Sequence, residues 1–160
     1  MKIIADLTAG KLQVSGAMYS ISNKIRTIRD GTRKSSDVAR SIYDDLPYDP
    51  QPFPKGLWEI TGVDWQEVNG KKVFDYNTYG PAKIRTNAWQ LVKVWELDKD
   101  GDYLKETERK VKDHCYHLHY SVSNTTLGCI RLASPEDAQQ IARVIEKLLN
   151  KGEKIQLEVV

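Results

Sequence analysis

Leu57–Tyr76, LWEITGVDWQEVNGKKVFDY, holds the clearest signal of fold in the chain. Two runs that alternate apolar and polar residues flank the dipeptide Asn69-Gly70. Alternation is the period of a strand with one buried face. Asn-Gly tolerates the positive φ angles that both central residues of a type I′ turn require. The spacing therefore predicts a β-hairpin.

Working outward, the same pattern recurs. Lys2–Gly16, KIIADLTAGKLQVSG, reads as two short strands around a turn at Thr8–Lys11. Trp89–Leu97, WQLVKVWEL, alternates again and runs into the turn Asp98–Asp102, DKDGD. His114–Val122, HCYHLHYSV, places Cys115, His117, His119 and Ser121 on one face of a strand, with Tyr116, Leu118 and Tyr120 on the other.

Two helices are expected. Ser35-Ser36-Asp37 can cap a short one carrying Val38, Ala39, Ile42 and Leu46 at helical spacing, ended by Pro47. The longer one has Ser134 as N-cap, Pro135 in the first turn, and Glu136 and Asp137 at the positive end of the helix dipole. Its apolar stripe is Ala138, Ile141, Ala142, Ile145, Leu148 and Leu149, and Gly152 stops it. Lys154–Val160 closes the chain as a strand. Four prolines in Pro47–Gly56, PYDPQPFPKG, predict a long loop that is neither helix interior nor central strand. Residues 20–34 are polar, and no repeat or low-complexity segment interrupts the chain. The expected fold class is mainly β, a β-rich α+β sandwich or barrel, with one long helix near the C-terminal end, in a single domain spanning residues 1–160.

Composition narrows the function. The chain has 160 residues, 40% hydrophobic and 29% charged, enough for one core without disulfide or metal staples. A formal net charge of +2 and the lack of a run of like charges argue against nucleic acid as a partner. No apolar stretch approaches the ~18 residues of a membrane span, so no membrane insertion is expected. The three-residue apolar run before Asp6 is too short for the core of a signal peptide. Synthesis in the cytoplasm is the expectation, with action elsewhere requiring a dedicated export route. Cys115 and Cys129 are the two cysteines, better read as free thiols than as a disulfide framework.

A nucleophilic cysteine needs a base or cation, donors for an oxyanion and access to substrate. Asn124–Leu132, NTTLGCIRL, together with the preceding strand offers each. His119, or His117 on the same face, is the candidate base. The backbone N–H groups of Leu127, Gly128 and Cys129 are candidate oxyanion donors, with Gly128 allowing a tight turn. Arg131 is placed to steady a carboxylate or a developing charge. The bland alternatives are real ones: a lone Cys129 is commonly a small buried hydrophobe, Cys115 has no turn or donors around it, and His114 beside Lys112 and Asp113 reads as surface. Zinc held by Cys115, His117, His119 and Cys129 fits poorly, because alternate residues of one strand lie about 6.6 Å apart. The turn Asp98–Asp102 is better explained as a hairpin than as a calcium loop. The tryptophans read as core or strand-pair residues, with Trp58 beside the proline-rich loop.

The segment HLHYSVSNTTLGCIRL resembles the active-site signature of the L,D-transpeptidase family, the YkuD-type catalytic domain. There a strand-borne histidine is followed by Ser or Thr, any residue, Gly, Cys and a nearby Arg, here His119, Thr126, Gly128, Cys129 and Arg131. PFPKGLWEI and TYGPAKIRT are similar to two further segments of that family, so the resemblance covers about residues 52–132. The ten-residue interval from His119 to Cys129 is short for the main branch, and Leu127 stands where a histidine is common there. Both features resemble leaderless branches that include secreted antibacterial effectors and phage-associated domains. The resemblance implies a cofactor-free, metal-free cysteine acyl-transfer enzyme acting on peptidoglycan stem peptides, with Cys129 attacking an L-to-D peptide bond and His119 as its base. It further implies Thr126, Leu127 and Arg131 shaping the substrate pocket, action in the periplasm or wall, and an immunity protein as partner if the chain is an effector. Transpeptidation, hydrolysis and D-amino acid exchange all remain open on the sequence. So do two rival readings, a non-catalytic wall-binding domain of the same fold and a thiol hydrolase unrelated to the wall.

Overall fold

The computed structural model describes residues 1–26, 38–41 and 44–160. Its strands are β1 (Lys2–Asp6), β2 (Lys11–Val14), β3 (Ala17–Ser22), β4 (Ala39–Arg40), β5 (Pro47–Tyr48), β6 (Gly56–Trp65), β7 (Glu67–Val68) and β8 (Lys71–Lys72). The one-turn helix α1 (Tyr76–Tyr79) leads to β9 (Ala82–Thr86), β10 (Gln90–Leu97), β11 (Tyr103–Asp113), β12 (His117–Tyr120) and β13 (Ile130–Leu132). The long helix α2 (Pro135–Asn150) and β14 (Gln156–Val159) complete the order. The protein is mainly β, as its alternation predicts.

Eight strands close into a barrel in the order β1-β14-β6-β9-β12-β13-β3-β2. Most neighbours are antiparallel, but β1 runs parallel to β14 and β12 parallel to β13. The first parallel pair joins the two chain ends, with the Leu7 and Val160 amides bonded to the Val160 and Ala5 carbonyls. Closure removes the unpaired edges that an open sheet would expose.

The alternation fixes which residues enter the core. Ile3, Leu12, Ile60, Ile84, Leu118, Ile130, Leu132 and Leu157 are fully buried on one face of their strands. Helix α2 adds Ala138, Ile141, Ala142 and Ile145 to the same cluster. Each such leucine or isoleucine side chain contributes about 1.5–3 kcal/mol relative to exposure. The Ser134 hydroxyl accepts from the Asp137 amide at 3.1 Å, so the predicted N-cap is formed.

Strands β4, β5, β10 and β11 form a second sheet with its own small core of Ala39, Tyr48, Val92, Val94 and Val111. Here two expectations are corrected. Ala39–Arg40 is extended, not helical, and pairs with Pro47–Tyr48. Three or four apolar residues at helical spacing are a weak signal. Burial of Ala39, Leu46 and Tyr48 against β10 and β11 outweighs it. The remaining helix positions, Ser35–Asp37 and Ile42, lie outside the described residues. Pro47–Tyr48 also sits between β4 and β10, a central place that its prolines argued against. The pairing to β10 runs through Tyr48, so the missing Pro47 N–H costs no bond on that side.

The Asn69-Gly70 turn has both residues at positive φ, 52° and 77°, as type I′ requires. Only Glu67–Val68 and Lys71–Lys72 pair across it, however, because β6 spends its length on β9 and β14.

Candidate functional site

The barrel's inner face takes Leu118 and Ile130, which pair across the parallel β12–β13 ladder, so the flanking residues of both strands must face outward. His119 pairs with Arg131 on that side and, through the antiparallel β9 ladder, with Lys83; His117 pairs with Arg85. One step before Ile130 stands Cys129, at the level of His117. A period-two pattern and two ladders thus place His117, His119 and Cys129 on one outer face.

That face is roofed by β4, β5, α1 and the Thr125–Leu127 segment, leaving a cavity of about 570 Å³. Cys115, His117, His119, Ser121, Thr126, Leu127 and Cys129 all line it. The four residues assigned to one strand face do share it, although β12 itself begins only at His117. Arg131 does not line the cavity. Its Nε donates to the Ser121 carbonyl at 2.9 Å and its guanidinium lies 5.2 Å from the Tyr120 ring, so it ties β13 to the end of His119's strand.

Cys129 is 8% exposed. The His117 amide donates to its Sγ at 3.4 Å, and the thiol donates to the Cys115 carbonyl at 3.4 Å. Burial pushes its pKa up to about 12, with the His117 amide opposing. The resting residue is therefore a neutral thiol rather than the electropositive, exposed thiolate of a preactivated nucleophile. Cys115 is partly buried, and burial, then the charge of Asp113, raises its thiol as well.

His119 is buried, and its Nδ1 lies 2.9 Å from the Tyr120 carbonyl. A carbonyl can only accept, so Nδ1 carries the proton and Nε2 keeps its lone pair. Burial is the main cause of a lowered pKa, so the ring is neutral near pH 7. The Tyr79 ring meets it edge-on at 5.0 Å. His117 has a buried Nδ1 without a hydrogen-bond partner among the described residues, and burial, then Lys83, lowers its pKa to about 4. It is the less well oriented of the two candidate bases. His114, expected at the surface, is partly buried.

The loop before Cys129 is held tightly. Gly128 has φ 126°, and a Cβ there would stand 2.7 Å from Tyr116 Cε1 and 2.9 Å from the Gln51 carbonyl. The Thr126 hydroxyl donates to the Cys129 carbonyl at 2.7 Å and accepts from the Gly128 amide at 3.3 Å. Thr126 thus shapes the loop from within, and the Gly128 N–H expected to face an oxyanion is turned toward it. Asn23 donates to the carbonyls of Gly128 and Cys129, both at 2.9 Å, and accepts from the Phe53 amide at 3.0 Å. Leu127 is 38% exposed at the cavity wall. Among the described residues no group of three or more His, Cys, Asp or Glu is arranged to hold a metal ion. Nor is any helix among them long and apolar enough to cross a membrane.

The sequence reading passed over Asn23, Tyr79 and Lys83. Asn23 stands in the polar segment that carried no pattern, and its contacts span more than a hundred residues. Lys83 lies in TYGPAKIRT, where the alternation of Ala82, Ile84 and Thr86 inward points Lys83 outward.

No protein family's sequence profile matches the chain, and no curated protein does. Among solved structures the chain is similar to Bdellovibrio bacteriovorus Bd1075, at 13% identity and a TM-score of 0.43, over 99% of this chain and 46% of that one. The chain thus spans under half the length of that protein, and a likeness so distant says nothing of what either does.

Proposed function

We propose that the protein is a cysteine acyl-transfer enzyme acting on peptidoglycan stem peptides through a thioester on Cys129. One observation carries the chemistry: Cys129 and a histidine whose Nδ1 is fixed by a backbone carbonyl line the same cavity. The substrate class rests on the resemblance of His119 and Thr126–Arg131 to the L,D-transpeptidase signature.

With both groups neutral at rest, the site works by general-base catalysis. His119 Nε2 takes the thiol proton as Sγ attacks the carbonyl carbon of an L-to-D peptide bond. The oxyanion collapses, the C–N bond breaks, and the imidazolium returns its proton to the leaving amine, which departs with the D-residue. An amine or water then attacks the thioester. His119 takes its proton and gives it to the departing sulfur, restoring the thiol. Amine attack is transfer and water attack is cleavage. Of the expected donors, the Leu127 and Cys129 N–H groups suit the oxyanion better than that of Gly128, which Thr126 engages. The place of action is the periplasm or the wall.

The buried thiol favours a second reading, a wall-binding domain without turnover. A digest separates them: purified muropeptide tetrapeptides and pentapeptides are incubated with the protein and with Cys129→Ala and read by mass spectrometry. Loss or exchange of a D-residue, or a new L-to-D dimer, absent in the alanine variant, supports the enzyme. Unchanged muropeptides support the binding domain.

A further inference from the structure

The charged side chains that line the cavity are all cationic, with Asp113 buried behind Cys115. Arg26, Arg40 and Lys83 line it, and no aspartate or glutamate among the described residues does. Arg40 donates from Nη1 to the Asp45 carbonyl, and Arg26 donates to the Thr125 and Ser123 hydroxyls, so both are held by the loops at the rim. Lys83 is different. Its ammonium lies 4.9 Å from the centre of the Tyr79 ring and 5.5 Å from that of Phe74, and it has neither ion-pair nor hydrogen-bond acceptor among the described residues. Cation–π contact holds the group in place while leaving its N–H donors free.

Its position is set by register. Lys83 pairs with His119 across the β9–β12 ladder, on the same outer face as His117 and Cys129. Burial dominates the titration of Cys115, His117, His119 and Cys129; Lys83 contributes at all four, opposed at the two thiols by the buried Asp113 and at His117 by Asp64. A partly buried cation beside the base and the nucleophile, in a cavity without acidic walls, is complementary to an anion of the substrate.

Building on the acyl-transfer reading, we propose that Lys83 binds the free terminal carboxylate of the substrate, so that the leaving group is a single C-terminal residue. One residue spans about 3.5 Å of extended chain, so with the carboxylate on Lys83 of β9 the preceding carbonyl lies toward β12 and β13, the side of His119 and Cys129. A substrate that continues past that residue presents a neutral amide instead. It leaves the ammonium desolvated and unpaired, which is how a polar site rejects an analogue. The site then selects chain ends over internal bonds.

The test uses a stem tetrapeptide ending in D-alanine and the same peptide as its C-terminal amide. Binding is measured by calorimetry on Cys129→Ala, with and without Lys83→Met, and turnover on the otherwise intact protein, with and without the same change. The expected result is at least tenfold tighter binding of the acid, abolished by Lys83→Met and kept by Lys83→Arg. Turnover should show a rise in KM for the acid at least tenfold larger than any change for the amide. Equal affinity for acid and amide with Lys83 present overturns the proposal, whether or not the methionine variant folds, and so does failure of either peptide to bind. A lysine that only polarises the thiol would slow acid and amide alike, which also overturns it. Turnover without acid preference would remove Lys83's role while leaving acyl transfer standing. Acid-selective binding without turnover would do the reverse.

Discussion

The backbone amide of His117 points at the sulfur of Cys129 across 3.4 Å, so the strand that carries both candidate bases also fixes the candidate nucleophile. This follows from the parallel pairing of β12 with β13, which sets Cys129 level with His117 and two residues from the level of His119. The amide comes from the backbone, so it survives any side-chain change at residue 117. The two histidines are therefore separable by mutation. His119→Asn should lower acyl transfer about 10²–10⁴-fold with the fold intact, as loss of a general base does. His117→Asn should cost tenfold or less. Comparison of kcat/KM for the two variants on a tetrapeptide checks this, and equal losses would contradict the assignment.

Cys129 should titrate far above an ordinary thiol, because burial raises its pKa to about 12. In a Cys115→Ser background, absorbance of the thiolate at 240 nm should stay flat from pH 6 to pH 9. Alkylation at pH 7 should be slow in the folded state. A thiolate already present at neutral pH would mean an ion pair with histidine in place of general-base catalysis.

His117 makes stability depend on pH. Its folded pKa of about 4 lies below the unfolded value of 6.5, so the unfolded chain binds the proton more readily. Stability is fully present above about pH 6.5 and is lost as pH falls toward 4, by up to about 3 kcal/mol. Urea unfolding at pH 7 and pH 4.5 with the intact protein and His117→Asn should show the variant losing less on acidification.

Gly128→Ala should destabilise the protein by about 2–4 kcal/mol and abolish turnover. The added Cβ meets Tyr116 and the Gln51 carbonyl, and φ of 126° is strained for alanine. Thermal unfolding measures the first effect and the tetrapeptide assay the second. Thr126→Ser, which keeps both hydroxyl bonds, serves as the tolerated control in the same loop.

The barrel was largely legible because burial of alternate residues leaves a period in the sequence. The hairpin at Lys2–Val14, the strand at β10, the helix after Ser134 and the final strand at Gln156–Val159 all carry it. Strands β3 and β11 do not. Ala17–Ser22 is mostly exposed with only Ile21 buried, and β11 places mostly charged residues on both faces until Val111. Each pairs with the strand just before it, β3 with β2 and β11 with β10, so its place follows from a hairpin and leaves little period of its own. The hairpin at Asn69-Gly70 shows the converse, since a local turn signal cannot say that β6 will pair with β9 and β14 beyond it. At the site, His117, His119 and Cys129 were legible through one strand's alternation and one glycine. Asn23 and Lys83 were not, because their roles depend on which strands lie side by side, β3 with β13 and β9 with β12. Burial of the thiol was also hidden: it comes from the roof formed by β4, β5 and α1, whose first strand reads locally as helix.

The central claim is that Cys129 carries the acyl group. Its most direct test is acid-quenched intact-mass spectrometry of the protein mixed with a stem tetrapeptide, followed by peptide mapping. The account predicts an adduct equal to the peptide minus its terminal D-residue, on Cys129, labile to hydroxylamine and absent in Cys129→Ala. Turnover of the tetrapeptide by Cys129→Ala, or an adduct confined to Cys115, would contradict it.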